Sequence, residues 1–184
     1  MKKLFLSAAV ISLMTACNQQ PADVSTNSTN TDSSAVTAAA SAEEKEERNK
    51  QIALESVRAV ASGNVDAGFK NVAADAVDYG DGSGPVMKSK DSIIAGIKTF
   101  IAAYPDHKGE DFMAVSDGDY VIVYGKWSGT FKNDYMGMKA TGKSFKVNDV
   151  DIFKFNDKGE IVEHRSVQSY ETMMSQVGAK PPKK

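Results

Sequence analysis

Apolar residues recur every three or four positions in the first part of the chain and crowd into short, β-branched runs in the second part. After Ser89, isoleucines and phenylalanines keep the helical spacing until a proline, so a helix is predicted there with Ser89 as its cap. An earlier helix is predicted from Ser41 to about Ser62, because Ser41 opens a Ser-x-x-Glu capping box and a glycine follows Ser62. Asn64 is predicted to cap a shorter helix that runs to about Ala74.

The later segments are rich in valine, isoleucine, phenylalanine and tyrosine, and glycine, aspartate and asparagine separate them. This pattern predicts strands joined by hairpins. The predicted strands span 112–115, 120–131, 145–155 and 161–168, with a short additional strand at 77–79. A last helix is predicted from Ser169 to Gly178, with Met173, Met174 and Val177 buried. Helices followed by antiparallel strands indicate an α+β domain in which a curved sheet wraps around the N-terminal helices to form a cone.

The chain begins with two lysines, a short apolar run and small residues before Cys17, an order typical of a signal peptide over 1–16. The apolar run at 4–14 is shorter than the ~20 residues that span a bilayer. The string at 14–17 resembles a bacterial lipobox, so Cys17 is expected to carry a lipid. The residue after Cys17 is Asn18, and a residue other than aspartate at that position resembles lipoproteins that are sorted to the outer membrane. The protein is therefore expected at the outer membrane, facing the periplasm. The alternative is an ordinary signal peptide with an incidental cysteine.

The composition indicates that the rest of the chain consists of a tether, one domain and a tail. Residues 17–41 are mostly serine, threonine, asparagine and alanine, which predicts a flexible tether ahead of one domain at 42–178 and a tail at 179–184. With 22 basic and 24 acidic side chains and no basic stripe, nucleic-acid binding is not predicted, and membrane contact is expected through the lipid alone. The single cysteine excludes an intramolecular disulfide. Two distant histidines argue against a metal site, and no cofactor is implied.

The turn at 157–159 permits a prediction of which side chains share a face of the sheet. If Gly159 takes the left-handed position of a three-residue turn, Asn156 faces Glu160. Residues 162, 164, 166 and 168 then share one face, because side chains alternate along a strand. The register predicts pairs between Ile152 and His164, Val150 and Ser166, Asn148 and Gln168, and Asp151 and Arg165.

This face mixes small polar groups with apolar ones, which is typical of a pocket wall. His164 is the candidate catalytic residue, since an imidazole in a partly apolar cleft titrates near neutral pH. The alternative is a structural histidine, and a carboxylate within hydrogen-bond reach of His164 would favour catalysis. His107 is expected to lie in a solvated loop. The predicted pocket comprises His164, Ser166, Gln168, Ile152, Val150 and Trp127.

Several local strings, in this order, carry a resemblance to a known family. They are Tyr-Pro-Asp at 104–106, Gly-Asp-Tyr-Val at 118–121, Trp-Ser-Gly-Thr at 127–130, Met-Gly-Met-Lys-Ala-Thr-Gly-Lys at 136–143, Asp-Ile-Phe-Lys-Phe at 151–155 and Gly-Glu-Ile-Val-Glu-His at 159–164. Together they resemble the SnoaL-like, polyketide cyclase-like branch of the nuclear transport factor two superfamily. That superfamily also includes ketosteroid isomerases and limonene epoxide hydrolases, and the resemblance implies its cone-shaped α+β fold.

The resemblance leaves the function open, because the superfamily includes enzymes, ligand-binding domains and dimerisation domains. In its enzymes an aspartate that acts as general acid or base commonly lies on the last strand. The corresponding position here is Ser166, which does not exchange protons at neutral pH. The leading expectation is therefore a lipid-anchored envelope domain that binds a small, largely apolar molecule in its cone. The alternatives are a hydrolase, isomerase or cyclase that uses His164, and a homodimer or scaffold that associates through the outer sheet face.

Overall fold

The computed structural model describes residues 30–168 and 170–179, and within them it contains four helices and five strands. The helices are α1 (Asn30–Ala61), α2 (Val65–Gly68), α3 (Lys90–Ala103) and α4 (Tyr170–Val177); the strands are β1 (Val72–Asp78), β2 (Lys108–Asp117), β3 (Tyr120–Thr130), β4 (Ser144–Phe155) and β5 (Ile161–Ser166). The predicted α+β class is confirmed. The predicted signal peptide at 1–16, the lipidated Cys17 and the helix start at Ser169 lie outside the described residues. None of the described helices is both long enough and apolar enough to cross a membrane.

Helix α1 differs from the prediction at its start. It begins at Asn30, so the prediction that a helix starts with a cap at Ser41 is wrong, and Ser41 lies inside the helix. The segment at 35–42 contains five alanines, and alanine has the highest helix propensity, which offsets the serines and threonine beside it. The predicted end is confirmed, because α1 stops at Ala61 and Gly63 follows with φ +81°.

The two other predicted helix caps, at Asn64 and Ser89, are present. The Asn64 side chain accepts a hydrogen bond from the Ala67 N–H at the start of α2, although α2 ends at Gly68 rather than at Ala74 because the chain turns into β1. The Ser89 hydroxyl accepts from the Ser92 N–H at the start of α3. These contacts satisfy N–H groups that a helix leaves without partners in its first turn.

The five strands form one curved, open sheet in the order β1-β5-β4-β3-β2. All neighbours are antiparallel except β1 and β5, which run parallel. The inner face packs against α1 and α3, where Val57, Ile93, Val123 and Phe153 belong to one apolar cluster. At the other end of the sheet, α4 buries Met173, Met174 and Val177 as predicted, in a second cluster with aromatic side chains.

The pairing between β4 and β5 starts as predicted and then slips by one residue. Gly159 has φ +79°, and the Asn156 N–H donates to the Glu160 carbonyl at 3.0 Å, as the turn prediction requires. Val162 is then an extra residue, a β-bulge, because Phe155 pairs with Ile161 but Lys154 pairs with Glu163. The predicted pairs beyond the turn are therefore wrong. The observed pairs are Phe153 with His164, Ile152 with Arg165 and Asp151 with Ser166.

Candidate acid-base site in the cone

A cavity of about 90 Å³ lies between the inner face of the sheet and the helices. Most of its wall is apolar, with valines from α1, isoleucines from α3 and Phe153 from β4. Its polar lining residues include Ser56 and Glu163 and a cluster of three side chains from three adjacent strands: Asp78 of β1, His164 of β5 and Asp151 of β4. The cavity therefore combines an apolar wall with one cluster of titratable groups.

His164 connects the two carboxylates. Its Nδ1 lies 2.9 Å from Oδ1 of Asp78, and its Nε2 lies 3.0 Å from Oδ1 of Asp151. Ionised carboxylates only accept hydrogen bonds, so both contacts are satisfied when both ring nitrogens of His164 carry protons. The parallel pairing of β1 with β5 places Asp78 beside His164, and the bulge at Val162 turns His164 to the face that Asp151 and Phe153 share.

Burial and hydrogen bonding act in opposite directions on these three groups. Burial alone would lower the pKa of His164, but the hydrogen bonds to Asp151 and Asp78 and the charges of both raise it to about 10. For Asp78, burial is outweighed by the hydrogen bond and charge of His164 and by the Gly80 N–H, which hold its pKa below the usual value. For Asp151, burial dominates and holds the pKa above the usual value. Near neutral pH, Asp151 is therefore the carboxylate of this pair that binds a proton more readily.

Asp151 also has an oxygen with no protein partner. Its Oδ1 contacts His164, whereas Oδ2 is buried and has no hydrogen-bond partner among the described residues. A buried polar atom without a partner costs about 1–3 kcal/mol, and more when it is charged. Asp151 is also one of the residues that line the cavity.

Trp127 of β3 lines the same cavity. Its ring stacks on His107 at a centroid distance of 6.4 Å and meets the edge of Phe112 at 5.6 Å. His107 is half-buried, and its Nε2 contacts the Val60 carbonyl oxygen at 3.0 Å, so the expectation of a solvated loop is wrong. A carbonyl only accepts, so Nε2 carries the proton, and burial lowers the pKa of His107.

The other predicted pocket residues lie elsewhere. Ile152 and Val150 lie on the face of β4 opposite to Asp151 and Phe153, because side chains alternate and the register slips by one residue. Ser166 Oγ donates to both carboxylate oxygens of Asp149 at 2.9 Å, and the Gln168 N–H donates to Oδ1 of the same carboxylate. None of these four lines the cavity.

The sequence interpretation identified His164 but missed both of its carboxylate partners. A signal for Asp151 was available, because the alternate positions of β4 read Phe145, Val147, Asp149, Asp151, Phe153 and Phe155, which places two carboxylates in an otherwise apolar set. No comparable signal exists for Asp78, since its contact with His164 joins residues 86 positions apart. Within the part of the chain that the structure describes, no group of His, Cys, Asp and Glu side chains is arranged to hold a metal ion.

Comparison with known proteins agrees with this architecture. Similar solved structures include a SnoaL-like polyketide cyclase candidate of Jannaschia sp. CCS1 (TM-score 0.66, 19% identity, 74% of this chain and 95% of that one). Another is TsrD of Streptomyces laurentii (TM-score 0.61, 19% identity, 72% of this chain and 96% of that one). A third is a hypothetical protein of Catenulispora acidiphila with a ketosteroid isomerase-like fold, in complex with trimethylamine (TM-score 0.59, 19% identity, 71% of this chain and 93% of that one). At these identities the likeness shows the fold alone.

Among curated protein sequences, none matches the chain. The family model described as SnoaL-like polyketide cyclase matches residues 51–177, which include every strand of the sheet and all three side chains of the polar cluster. With this match over more than half of its length, the chain belongs to the SnoaL-like polyketide cyclase family.

Proposed function

We propose that the domain is an acid-base enzyme that moves a proton on a small, largely apolar molecule held in its cone. Asp151 exchanges the proton through Oδ2, while His164 and Asp78 hold the Asp151 carboxyl group in place. The observation that supports this proposal is that Asp151 lines the cavity, with one carboxylate oxygen fixed by His164 and the other buried without a partner among the described residues.

The sequence is compatible with a ligand-binding domain and with an enzyme. A carboxylate within hydrogen-bond reach of His164 is the feature that favours the enzyme. His164 contacts two carboxylates, at 2.9 and 3.0 Å, which favours the enzyme. Family enzymes use an aspartate near Ser166, but Ser166 here binds Asp149 outside the cavity lining. The proposed acid-base group therefore lies on β4, next to the strand on which the family pattern places it.

The surroundings of Asp151 suit it to proton transfer. Burial raises its pKa, which makes its carboxylate a stronger base than an exposed aspartate. The His164 imidazolium stays hydrogen-bonded to Oδ1 while Oδ2 gains or loses a proton, so the carboxyl group keeps its orientation through the step. Positioned general acid-base groups of this kind typically contribute about 10²- to 10⁴-fold in rate.

Proton exchange on a ketone tests the proposal, because a carbon beside a carbonyl group is acidic enough to exchange its hydrogens. Single-ring ketones such as cyclopentanone are incubated with the protein in D₂O, and the loss of their α-hydrogens is followed by NMR. We expect the wild-type protein to accelerate the exchange and Asp151→Asn to reduce that acceleration by about 10²-fold or more.

The control for this experiment is Asp75→Asn, the same substitution at an exposed carboxylate of β1 that does not line the cavity. This variant should keep most of the activity. Equal exchange with the wild-type protein and with a folded Asp151→Asn variant would contradict the proposal, and so would a wild-type protein that accelerates exchange of no ketone in the panel.

A second proposal, homodimerisation, rests on a separate observation. Large apolar side chains are exposed on the outer sheet face, where Met113 and Val115 of β2 are 66% and 64% exposed and Ile122 of β3 is 41% exposed. Contiguous exposed apolar surface is typical of a protein interface. We expect light scattering to give a dimer mass at micromolar concentration and Val115→Lys to give a monomer. A wild-type monomer would remove this proposal.

A further inference from the structure

Strand β4 has one edge that its neighbour β5 covers only in part. The pairing of β4 with β5 ends at Asp151 and Ser166, and one further contact joins the Val167 N–H to the Val150 carbonyl oxygen at 3.0 Å. The chain then leaves the sheet and enters α4. Within the described part of the chain, residues 144–149 of β4 therefore have a strand partner only on the β3 side, and their other edge is about 20 Å long.

A side chain of α4 takes the place of a strand at one point of this edge. The Lys146 N–H donates to Oε1 of Gln176 at 2.8 Å, and Nε2 of Gln176 donates to the Lys146 carbonyl oxygen at 3.1 Å. An antiparallel strand makes the same pair of hydrogen bonds with its backbone. The Gln176 amide therefore substitutes for a peptide group. Because Gln176 is exposed, its side chain can turn away without a movement of the α4 backbone.

The next position along the edge is open. The N–H and C=O groups of alternate residues in a strand point to the same side, so those of Asn148 point to the edge that Lys146 shares. No described residue pairs with these two groups of Asn148 along the edge. Asn148 lines a surface groove together with Val167 and with Thr172 and Gln176 of α4. The groove therefore includes an unpaired part of a strand edge.

The residues that line this groove indicate the chemistry of its occupant. Lys146 is exposed, and it is the only charged residue among those that line the groove. Val147 is half-buried and Val167 is 64% exposed, so the groove also has an apolar part. An extended peptide that adds to an open strand edge gains affinity from main-chain hydrogen bonds and specificity from side-chain contacts. A peptide with a carboxylate opposite Lys146 and apolar neighbours complements this groove.

Two other occupants are less suited to this edge. The residues after Ala179 are Lys-Pro-Pro-Lys-Lys, which carry the same charge as Lys146, and prolines lack the N–H that a strand partner donates. A second copy of the chain that paired edge to edge would bring two Lys146 side chains close together. Like charges opposite each other destabilise a strand pair. The charge of the edge therefore favours an acidic segment of a different protein.

We propose that this edge of β4 binds an extended, acidic segment of a partner protein, which joins the sheet as a strand after the Gln176 amide turns away. The segment pairs through its backbone with Lys146 and Asn148, and one of its carboxylates contacts the Lys146 ammonium group. None of the residues that line the groove lines the cavity of the cone, so this interaction is independent of the acid-base function.

Short blocked peptides test the proposal on the wild-type protein. Acetyl-Thr-Val-Glu-Val-Thr-amide is compared with the same peptide carrying lysine instead of glutamate, and binding is measured from the NMR shifts of the Lys146 and Asn148 amides. We expect the glutamate peptide to bind about threefold more tightly, as one exposed ion pair predicts. A third peptide, N-methylated at its glutamate, keeps every side chain but loses one backbone donor, and it should bind much more weakly.

Three variants test the roles of single residues. Gln176→Ala should tighten the binding of the glutamate peptide about two- to tenfold, because the peptide no longer displaces an existing pair of hydrogen bonds. Gln51→Ala is the matched control, since this exposed glutamine of α1 donates to Glu47 of its own helix, and it should leave the affinity unchanged. Lys146→Glu should reverse the preference between the glutamate and lysine peptides.

Several results would overturn the proposal. A wild-type protein that binds neither peptide, or that binds the N-methylated peptide as tightly as the glutamate peptide, contradicts strand addition without reference to the folding of any variant. A folded Gln176→Ala variant with unchanged peptide affinity contradicts the role of the Gln176 amide. If light scattering gives a larger assembly for Gln176→Ala than for the wild-type protein, the occupant of the edge is a second copy of this chain, and the acidic partner is wrong.

Discussion

At the scale of single residues, the unusual feature is a histidine clamped between two buried carboxylates. An imidazolium with one carboxylate can form a neutral pair, whereas His164 with Asp78 and Asp151 has an excess of one negative charge when all three are ionised. The low dielectric of the interior makes that excess costly. The excess disappears when Asp151 binds a proton, in agreement with the raised pKa of this carboxyl group.

The raised pKa of His164 predicts how stability changes with pH. The folded protein holds the His164 proton up to about pH 10, but the unfolded chain releases it near 6.5. The stabilisation is therefore complete below pH 6.5 and decreases as the pH rises towards 10. We expect the free energy of unfolding to fall by roughly a few kcal/mol over this range.

Chemical denaturation at pH 6.5 and at pH 9 measures this change, and stopping at pH 9 limits the contribution of lysines and tyrosines. The matched variant is His164→Gln, which keeps a polar side chain that does not titrate. Its stability should change less between these two pH values than that of the wild-type protein. If the free energy of unfolding changed equally for the two proteins between pH 6.5 and pH 9, the raised pKa of His164 in the folded protein would be contradicted.

At the scale of elements, β2 and β3 are shaped by close packing over glycines. Phe112 lies across Gly125 and Gly109, and a Cβ at these two glycines would come within 2.6 and 2.4 Å of its ring. The pairing of β2 with β3 shifts beside Phe112, and Asp111 has φ +57°, which is uncommon for a residue with a Cβ. The local distortion brings Phe112 onto the core and against Trp127.

Gly125→Ala is therefore expected to destabilise the protein by about 1–3 kcal/mol, because the added methyl group forces the Phe112 ring to move. Gly84→Ala is the control, since a Cβ at Gly84 meets no atom within 4 Å. The control should change the stability by no more than about 0.5 kcal/mol. Urea denaturation compares the two variants, and equal stabilities would contradict the packing argument.

The elements also show which parts of the fold could be predicted from sequence. Ser89 and Gly159 were read correctly because capping and left-handed turns depend on a residue type at a defined position. The bulge at Val162 was missed because valine is an ordinary strand residue and has no local signal for an extra position. That one residue decides which side chains of β4 share a face with His164, so the predicted pocket included Ile152 and Val150 instead of Asp151.

At the scale of the whole molecule, the candidate site depends on contacts between distant parts of the chain. Asp78 lies next to His164 only because β1 joins the sheet in parallel beside β5, the last strand. The additional strand was predicted at 77–79, but its partner could not be predicted, since parallel pairing has no turn sequence to mark it. The contact between Asp78 and His164 therefore could not be predicted from the sequence.

The proposed attachment to the membrane also concerns the whole molecule. Cys17 is the only cysteine, and we propose that it carries the lipid that holds the domain at the outer membrane. Cys17→Ser, expressed from the full-length sequence, should move the protein from the outer-membrane fraction to the soluble periplasmic fraction and abolish labelling with radioactive palmitate. Unchanged fractionation would contradict the proposal. Lys180→Ser is the control, because it leaves Cys17 in place.

Trp127 is the single tryptophan of the 184 residues, and its indole forms part of the cone wall. Ultraviolet emission excited at the red edge of protein absorption therefore comes from one fluorophore in contact with the cavity. A molecule that enters the cone changes the polarity around that fluorophore and shifts its emission. The unlabelled protein thus has a built-in optical reporter, with which large collections of compounds can be screened for occupants of the cone.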